Sequence, residues 1–342
     1  MERRKVQQVG SGTYTVSLPK EWAERAGVTA GNTVQIDANG DTQLVIEPEA
    51  PADDATSRHE LSVGDDPPER LERTIKAAYA VGFEELVLRA PAGFSRAQTR
   101  AVDRVANEFV GVALTTETET ELTLQSLLDA SEVSVRQSVR QLRFVTLSMH
   151  RDATAALADG AEPSVADRED ETDRLYALVD RHFGRGLTRL DELDALGLSR
   201  VELFELRTAA RELERVADDT ETIASVAGTI DTPPEAVPTA ELRAIGRDAR
   251  TVVERGTAVV VGDADAEVAN DAIEAREAVR SRVEALDRDR LDAAGDHRLG
   301  RALDALRRTA ESGGTIAELG LRVATRCSGE SRSEDTVATG TE

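Results

Sequence analysis

The chain has 342 residues, and its 65 acidic against 42 basic side chains leave a formal charge of −23. That length predicts two or three domains, and that charge excludes a protein coated in basic residues for nucleic acid, so any DNA contact must come from a local patch. Only Lys5, Lys20 and Lys76 are lysine, and with 3% aromatic residues and abundant carboxylates the composition predicts a protein that stays dispersed in concentrated salt, in the cytosol of a halophile. The single cysteine, Cys327, excludes a disulfide framework and a cysteine-based zinc site. No apolar run has the length of a membrane span, and MERRKVQQVG lacks the apolar stretch of a signal peptide, so the expected location is cytoplasmic.

Residues 1–48 read as short strands around one helical turn. KVQQV is followed by Gly10-Ser11-Gly12 and the alternating TYTVSL; PKEWAERAG then places Pro19 in a first helical turn and Gly27 at its stop. TVQID and TQLVIEP flank the hairpin signal Asn39-Gly40. EPEAPADDATSRHE, punctuated by proline and acid, reads as a linker. From 60 to 123 helix and strand alternate: PERLERTIKAAYAVGF helical, EELVLRA a strand, SRAQTRAVDRVANEFVG helical and VALTTET a strand, a small α/β module without a glycine phosphate loop.

Beyond Leu124 the pattern is helical, with helices expected over 124–158, 165–183, 198–228, 239–261, 265–289 and 297–326, and a disordered tail over 327–342. LERVADDTETIA (213–224) aligns with LRRTAESGGTIA (306–317), which predicts a duplication: one three-helix bundle over 124–230 and a second over 238–326. Leu213, Val216, Ala217, Thr220, Ile223, Ala224 and Ala227 form a helical-period stripe that should face the core. Gly313-Gly314 mark a kink or a close helix approach. Trp22 reads as a core anchor of the first domain, and His182 as a group interacting with helix C-terminal carbonyls.

Arg3, Arg4, Lys5, Lys20 and Arg25 outnumber Glu2, Glu21 and Glu24, giving residues 1–31 a positive balance. Phosphate contacts need such a concentration, and arginine can also read guanine edges. The arrangement RKVQQVGSGTYTVSLPKEWAERAGVTAGNTVQI resembles the AbrB/MazE/SpoVT family of swapped-hairpin DNA-binding domains. The resemblance rests on the Arg-Lys strand, the Val-Ser-Leu-Pro-Lys step, Gly27-Val28 and Gly31-Asn32-Thr33-Val34, and departs from the commonest bacterial pattern at Gly10-Ser11-Gly12-Thr13-Tyr14. It implies a homodimer with interlocked hairpins and names Arg3, Arg4, Lys5, Lys20 and Arg25 as DNA contacts. The alternative is a head that only dimerises, burying its own strand edges.

Two Glu-x-x-x-Asp pairs, Glu169/Asp173 and Glu214/Asp218, each place two carboxylates on one helix face; two such helices side by side would offer four oxygen donors to a cation. Asp170, Asp219 and Glu221 could extend that set. In so acidic a chain such spacings also arise by chance, as solvated helix faces. LERVADDTETIA, following REDETDRLYALV within a duplicated three-helix pattern, resembles the PhoU family of phosphate-uptake regulators. With the AbrB-like head it is similar to the archaeal architecture of that type. The resemblance implies a multinuclear metal cluster, often iron or zinc, at Glu169, Asp173, Glu214 and Asp218, and as partners the phosphate ABC transporter ATPase and, in many bacteria, a sensor kinase. In the second copy Arg307 and Glu311 replace Glu214 and Asp218, and Glu274 and Glu277 do not restore the spacing, so that site is expected to be lost or altered.

None of His59, His150, His182 and His297 has a glutamate three residues before it, which excludes the Glu-x-x-His signature of di-iron oxidases. The resulting expectation is a mainly α protein: two tandem PhoU-like three-helix bundles preceded by a small α/β module and a swapped-hairpin β domain. Its expected role is a non-enzymatic, dimeric, DNA-binding regulator of phosphate uptake with a metal-binding helical body. The alternatives are an adaptor that docks on the phosphate transporter without binding DNA, and, ranked last for want of a positioned nucleophile, a metal-dependent enzyme.

Overall fold

The protein is described as a computed structural model over residues 3–10, 12–39, 43–48, 58–163, 165–230, 237–292 and 297–338. Met1–Ser57 and Arg58–Glu342 form separate units.

The first unit is two hairpins and a short helix. Strands β1 (Gln7–Val9) and β2 (Thr13–Thr15) pair antiparallel, as do β3 (Val34–Asn39) and β4 (Gln43–Pro48) in the register Val34↔Pro48 and Ile36↔Ile46. Gly40, within the expected turn, and Ser11, within the expected loop, lie outside the described residues. Helix α1 (Lys20–Arg25) starts one residue after Pro19, whose φ of −61° and extended ψ place it at the N-cap. Gly27 takes φ 68°, where a side chain would be strained, and lets the chain leave the helix. Among the described residues of this unit none is buried; Trp22, expected in a core, is half-buried, and Val6, Val9, Tyr14, Val16, Ile36 and Leu44 are exposed.

The second unit opens with a four-stranded sheet in the order β5-β6-β8-β7. Strand β5 (Arg58–Ser62) takes up the end of the expected linker and runs parallel to β6 (Glu85–Arg89); α2 (Pro68–Val81) makes the crossover. Helix α3 (Arg96–Glu108), closed at its start by a Ser95/Gln98 capping box, leads to β7 (Val112–Glu117). The expected helix at 124 does not begin there. Glu121–Ser126 forms β8, antiparallel to both β6 and β7, because Leu122 and Leu124 alternate into the core shared with Ile75, Tyr79, Leu86 and Val102. A single 3₁₀ turn over Ala130–Glu132 follows, and the helix starts only at Val135, after the Ser134 cap.

Among the described residues seven helices complete the unit: α4 (Val135–Asp159), α5 (Ala166–Gly186), α6 (Leu190–Leu196), α7 (Arg200–Ala227), α8 (Thr239–Val260), α9 (Ala266–Asp292) and α10 (His297–Ala338). Helix α6 falls between the expected helices, and α10 runs on through the expected tail to Ala338, no proline interrupting it. The protein is mainly helical, and α4, α5 and α7 correspond in order to α8, α9 and α10. All seven residues of the predicted stripe on α7 are buried. Gly313 and Gly314 lie inside continuous helix. A Cβ on Gly313 would come 2.7 Å from Val253 N, and one on Gly256 2.8 Å from Ala317 N, so bare backbone is what allows α8 and α10 to lie so close.

The α/β sheet docks on the bundle through α2 and α5. Gly184, just past the end of the helix expected over 165–183, lies within α5 and is a contact point: a Cβ there would sit 2.3 Å from the Ala80 carbonyl oxygen. Beside it Arg181 stacks over the Tyr79 ring at 4.9 Å and donates to the Tyr79 carbonyl, and Arg185 donates to the Gly82 carbonyl, tying α5 to the end of α2.

Candidate functional site

The acidic start of α5 and the middle of α7 lie side by side. Core packing of Leu213, Val216, Ala217 and Thr220 fixes the rotation of α7 and leaves Glu214, Asp218 and Glu221 on the flank toward α5. There they meet Glu169 and Asp173. Burial raises the carboxyl of Asp173; Lys76 opposes that, and Glu169 and Asp218 add to it. Glu214 is raised by burial and then by Asp218 and Asp173, with Arg211 Nη1 3.0 Å from its Oε2 working against them. Asp218 is raised by burial. Glu221 moves furthest, to about 7, pushed by burial, by the charges of Glu169, Asp218 and Asp173, and by a shared hydrogen bond with Glu169. The structure thus brings all four predicted carboxylates into one electrostatic neighbourhood and adds Glu221 to them.

The other two proposed extensions go elsewhere. Asp219 is buried and accepts from Arg308 on α10 at 2.7 Å, joining the two bundles. Asp170 lines a cavity of about 520 Å³ with Asp167, Glu171 and Arg174. The residue that pattern reading passed over is Lys76 of α2. It pairs with Glu108 at 2.7 Å and, with Tyr79, Asp173, Tyr176 and Glu214, lines a cavity of about 240 Å³ where the α/β sheet meets the bundle. Its signal in the sequence was rarity, as the one lysine outside the first unit.

An all-oxygen set of five crowded carboxylates has the donor chemistry of a hard-cation site, although among the described residues no three His, Cys, Asp or Glu side chains converge on one metal position. Asp173 and Asp218 are desolvated by the neighbouring helices on one side and open to solvent on the other, so their carboxylates can turn. On the second copy Arg307 pairs with Asp304 at 2.5 Å and with Glu311, and Arg276 with Glu318 at 2.8 Å; guanidinium groups neutralise that face from within. His182 does not serve helix carbonyls. It is buried with Nδ1 2.5 Å from Glu192 Oε1, and Arg185 Nε holds the other oxygen at 2.7 Å, which fastens α6 to α5.

In the first unit Arg3, Arg4, Lys5, Lys20 and Arg25 are all exposed. Lys20 and Arg25 share α1, Lys20 3.5 Å from Glu24 and Arg25 donating to the Glu21 carbonyl at 3.3 Å. Arg3, Arg4 and Lys5 precede β1 on extended chain.

Residues 7–54 match the family model "Antidote-toxin recognition MazE, bacterial antitoxin", and residues 139–227 match that of the PhoU domain. The chain therefore carries a MazE-type domain ahead of a PhoU domain, whose matched span covers most of α4, α5, α6 and α7. The crystal structure of PhoU from Pseudomonas aeruginosa is similar at 19% identity and a TM-score of 0.48, over 56% of this chain and 95% of that one. No curated protein sequence matches the chain. Among the described residues no helix is long and apolar enough to cross a membrane.

Proposed function

We propose that this protein is a cytoplasmic, non-enzymatic regulator of phosphate uptake whose MazE-type head dimerises and binds operator DNA while its PhoU-type body receives the signal. The observation that carries the reading is the joining of these two domain types in one chain. Dimerisation is supported by a head without one buried side chain among its described residues: a second copy interlocked with the first would supply the interior that Val9, Val16 and Ile36 lack. Arg3, Arg4, Lys5, Lys20 and Arg25 are the proposed phosphate and base contacts.

The body would hold a divalent or iron-type metal cluster at Glu169, Asp173, Glu214 and Asp218, with Glu221 beside them. The bound metal would supply the positive charge that relieves the repulsion raising these carboxyls. Occupancy of the body would then shift the DNA affinity of the head, a coupling that must be reciprocal.

A second reading, an adaptor that docks on the phosphate transporter ATPase through its body, draws on Phe144 and Phe204, which are 74% and 50% exposed on α4 and α7. One experiment separates the two: mapping the genomic DNA retained by the tagged chain in phosphate-rich and phosphate-poor cells, beside a variant with Arg3, Arg4 and Lys5 changed to alanine. Retention upstream of phosphate-transport genes that the triple variant loses supports the regulator. Retention unchanged by the substitutions, or no retention, refutes it and favours the adaptor.

A further inference from the structure

Helices α4 and α8 run antiparallel where the two triplets meet. A Cβ on Gly246 would touch Thr154, Arg250 reaches His150, and Arg140 donates to the Val261 carbonyl. Three arginines flank the middle of this contact: Arg151, next to His150 on α4, and Arg247 and Arg250, one turn apart on α8. Both Arg151 and Arg247 act on Arg250 as repelling charges.

The carboxylates within reach, Asp152 and Asp248, attract Arg250 but are each shared with another arginine. Asp152 binds Arg168 at 2.7 Å and Asp248 binds Arg282 at 2.5 Å, which leaves Arg247 only a 3.7 Å approach to Asp248. Among the described residues Arg151 and Arg250 have no ion pair. Arg250 is half-buried, and its Nη1 lies 3.2 Å from Nδ1 of His150. A guanidinium only donates, so Nδ1 accepts and the neutral ring carries its proton on Nε2. The imidazole therefore gives Arg250 a dipole and no countercharge.

Neighbouring arginines on the same two helices are neutralised, Arg140 by Asp263 at 2.7 Å and Arg243 by Asp159. In a chain of charge −23, three cations whose two nearby acids are each shared with a further arginine make a local excess of positive charge, and half-burying Arg250 within it without an anion is unfavourable. We propose that Arg151, Arg247 and Arg250 form a binding site for a small, multiply charged tetrahedral oxyanion of the phosphate class, bridging the first helical triplet to the second. Guanidinium forks match such an anion because each can donate two parallel hydrogen bonds, and a dianion balances two of the three charges. The site stands on these arginines and is independent of the regulatory reading above.

The test uses the full chain, freed of phosphate in potassium chloride, titrated calorimetrically with inorganic phosphate, sulfate and a phosphate monoester. Saturable binding of phosphate or its ester is expected, weakened about tenfold in Arg250→Gln and in Arg151→Gln, as loss of one charge-assisted hydrogen-bonding group predicts. Arg255→Gln, on the same helix but facing Asp271 at 4.0 Å, should bind as the parent does. Arg151 is exposed, so its variant keeps the test valid if Arg250→Gln does not fold. No saturable binding up to about 10 mM phosphate, a response to chloride alone, or parental affinity in Arg151→Gln overturns the proposal.

Discussion

His150 offers the clearest quantitative handle on the body. The ring is wholly buried between α4 and α8, and burial, reinforced by Arg250 beside Nδ1, lowers its pKa from 6.5 to about 3. The native state therefore binds fewer protons than the unfolded chain below pH 6.5. The stability this group confers is complete above pH 6.5 and lost as the pH falls toward 3. At pH 5, one and a half units below the unfolded value, the native state has lost about 2 kcal/mol on this account, each unit being worth about 1.4 kcal/mol. Urea unfolding followed by helical circular dichroism at pH 7 and pH 5, at constant potassium chloride, measures the total pH effect. His150→Gln keeps an acceptor for Arg250 and does not titrate, so its stability difference between the two pH values should be smaller than the parent's by about that amount. Equal differences in parent and variant would refute the assignment of a buried neutral imidazole.

Three further outcomes follow from the geometry. Gly184→Ala places a methyl group 2.3 Å from the Ala80 carbonyl oxygen and should cost about 1–3 kcal/mol, with amide exchange accelerating along α2 more than along α8. Glu221→Gln removes a carboxyl whose pKa is raised to about 7; the parent's contribution is complete below the unfolded value of 4.5 and lost as the pH rises through 7. Without added metal the variant should thus gain in melting temperature over the parent at pH 8 and not at pH 4.5, and an equal gain at both would count against the carboxylate crowding. Gly256→Ala drives a methyl group into the α10 backbone at Ala317 N, 2.8 Å away, and should lower stability by about 1–3 kcal/mol; a thermal melt that matches the parent's would show that α8 and α10 are not held so close.

Where a residue's fate depends on local periodicity, the sequence was a sufficient guide. The stripe from Leu213 to Ala227 is buried in full, and the i, i+4 spacing of Glu214 and Asp218 put both on one flank of α7. Strand β8 was legible in the alternation of Leu122 and Leu124, yet the leucine-rich run into 128 looked equally helical, and only pairing with β6 and β7 decides between them. Long-range partnerships were not legible. Asp219 stands one residue from a predicted site member, but Arg308, 89 residues on, claims it. Gly184 read as a helix stop because sequence shows a missing side chain and not the Ala80 carbonyl that fills its place. The arginine cluster is illegible for the same reason: Arg151 and Arg250 lie 99 residues apart, and the acids near them in sequence, Asp152 and Asp248, pair in space with Arg168 and Arg282.

Under the dimeric reading proposed above, that no side chain is buried among the head's described residues bears on the response to chain abundance. If a twin chain supplies the missing core, assembly of the head is second order in chain number, and the DNA-competent species grows faster than the total pool when synthesis rises. On the proposed regulatory reading, a modest change in expression would then be amplified at the operator before any ligand reaches the body.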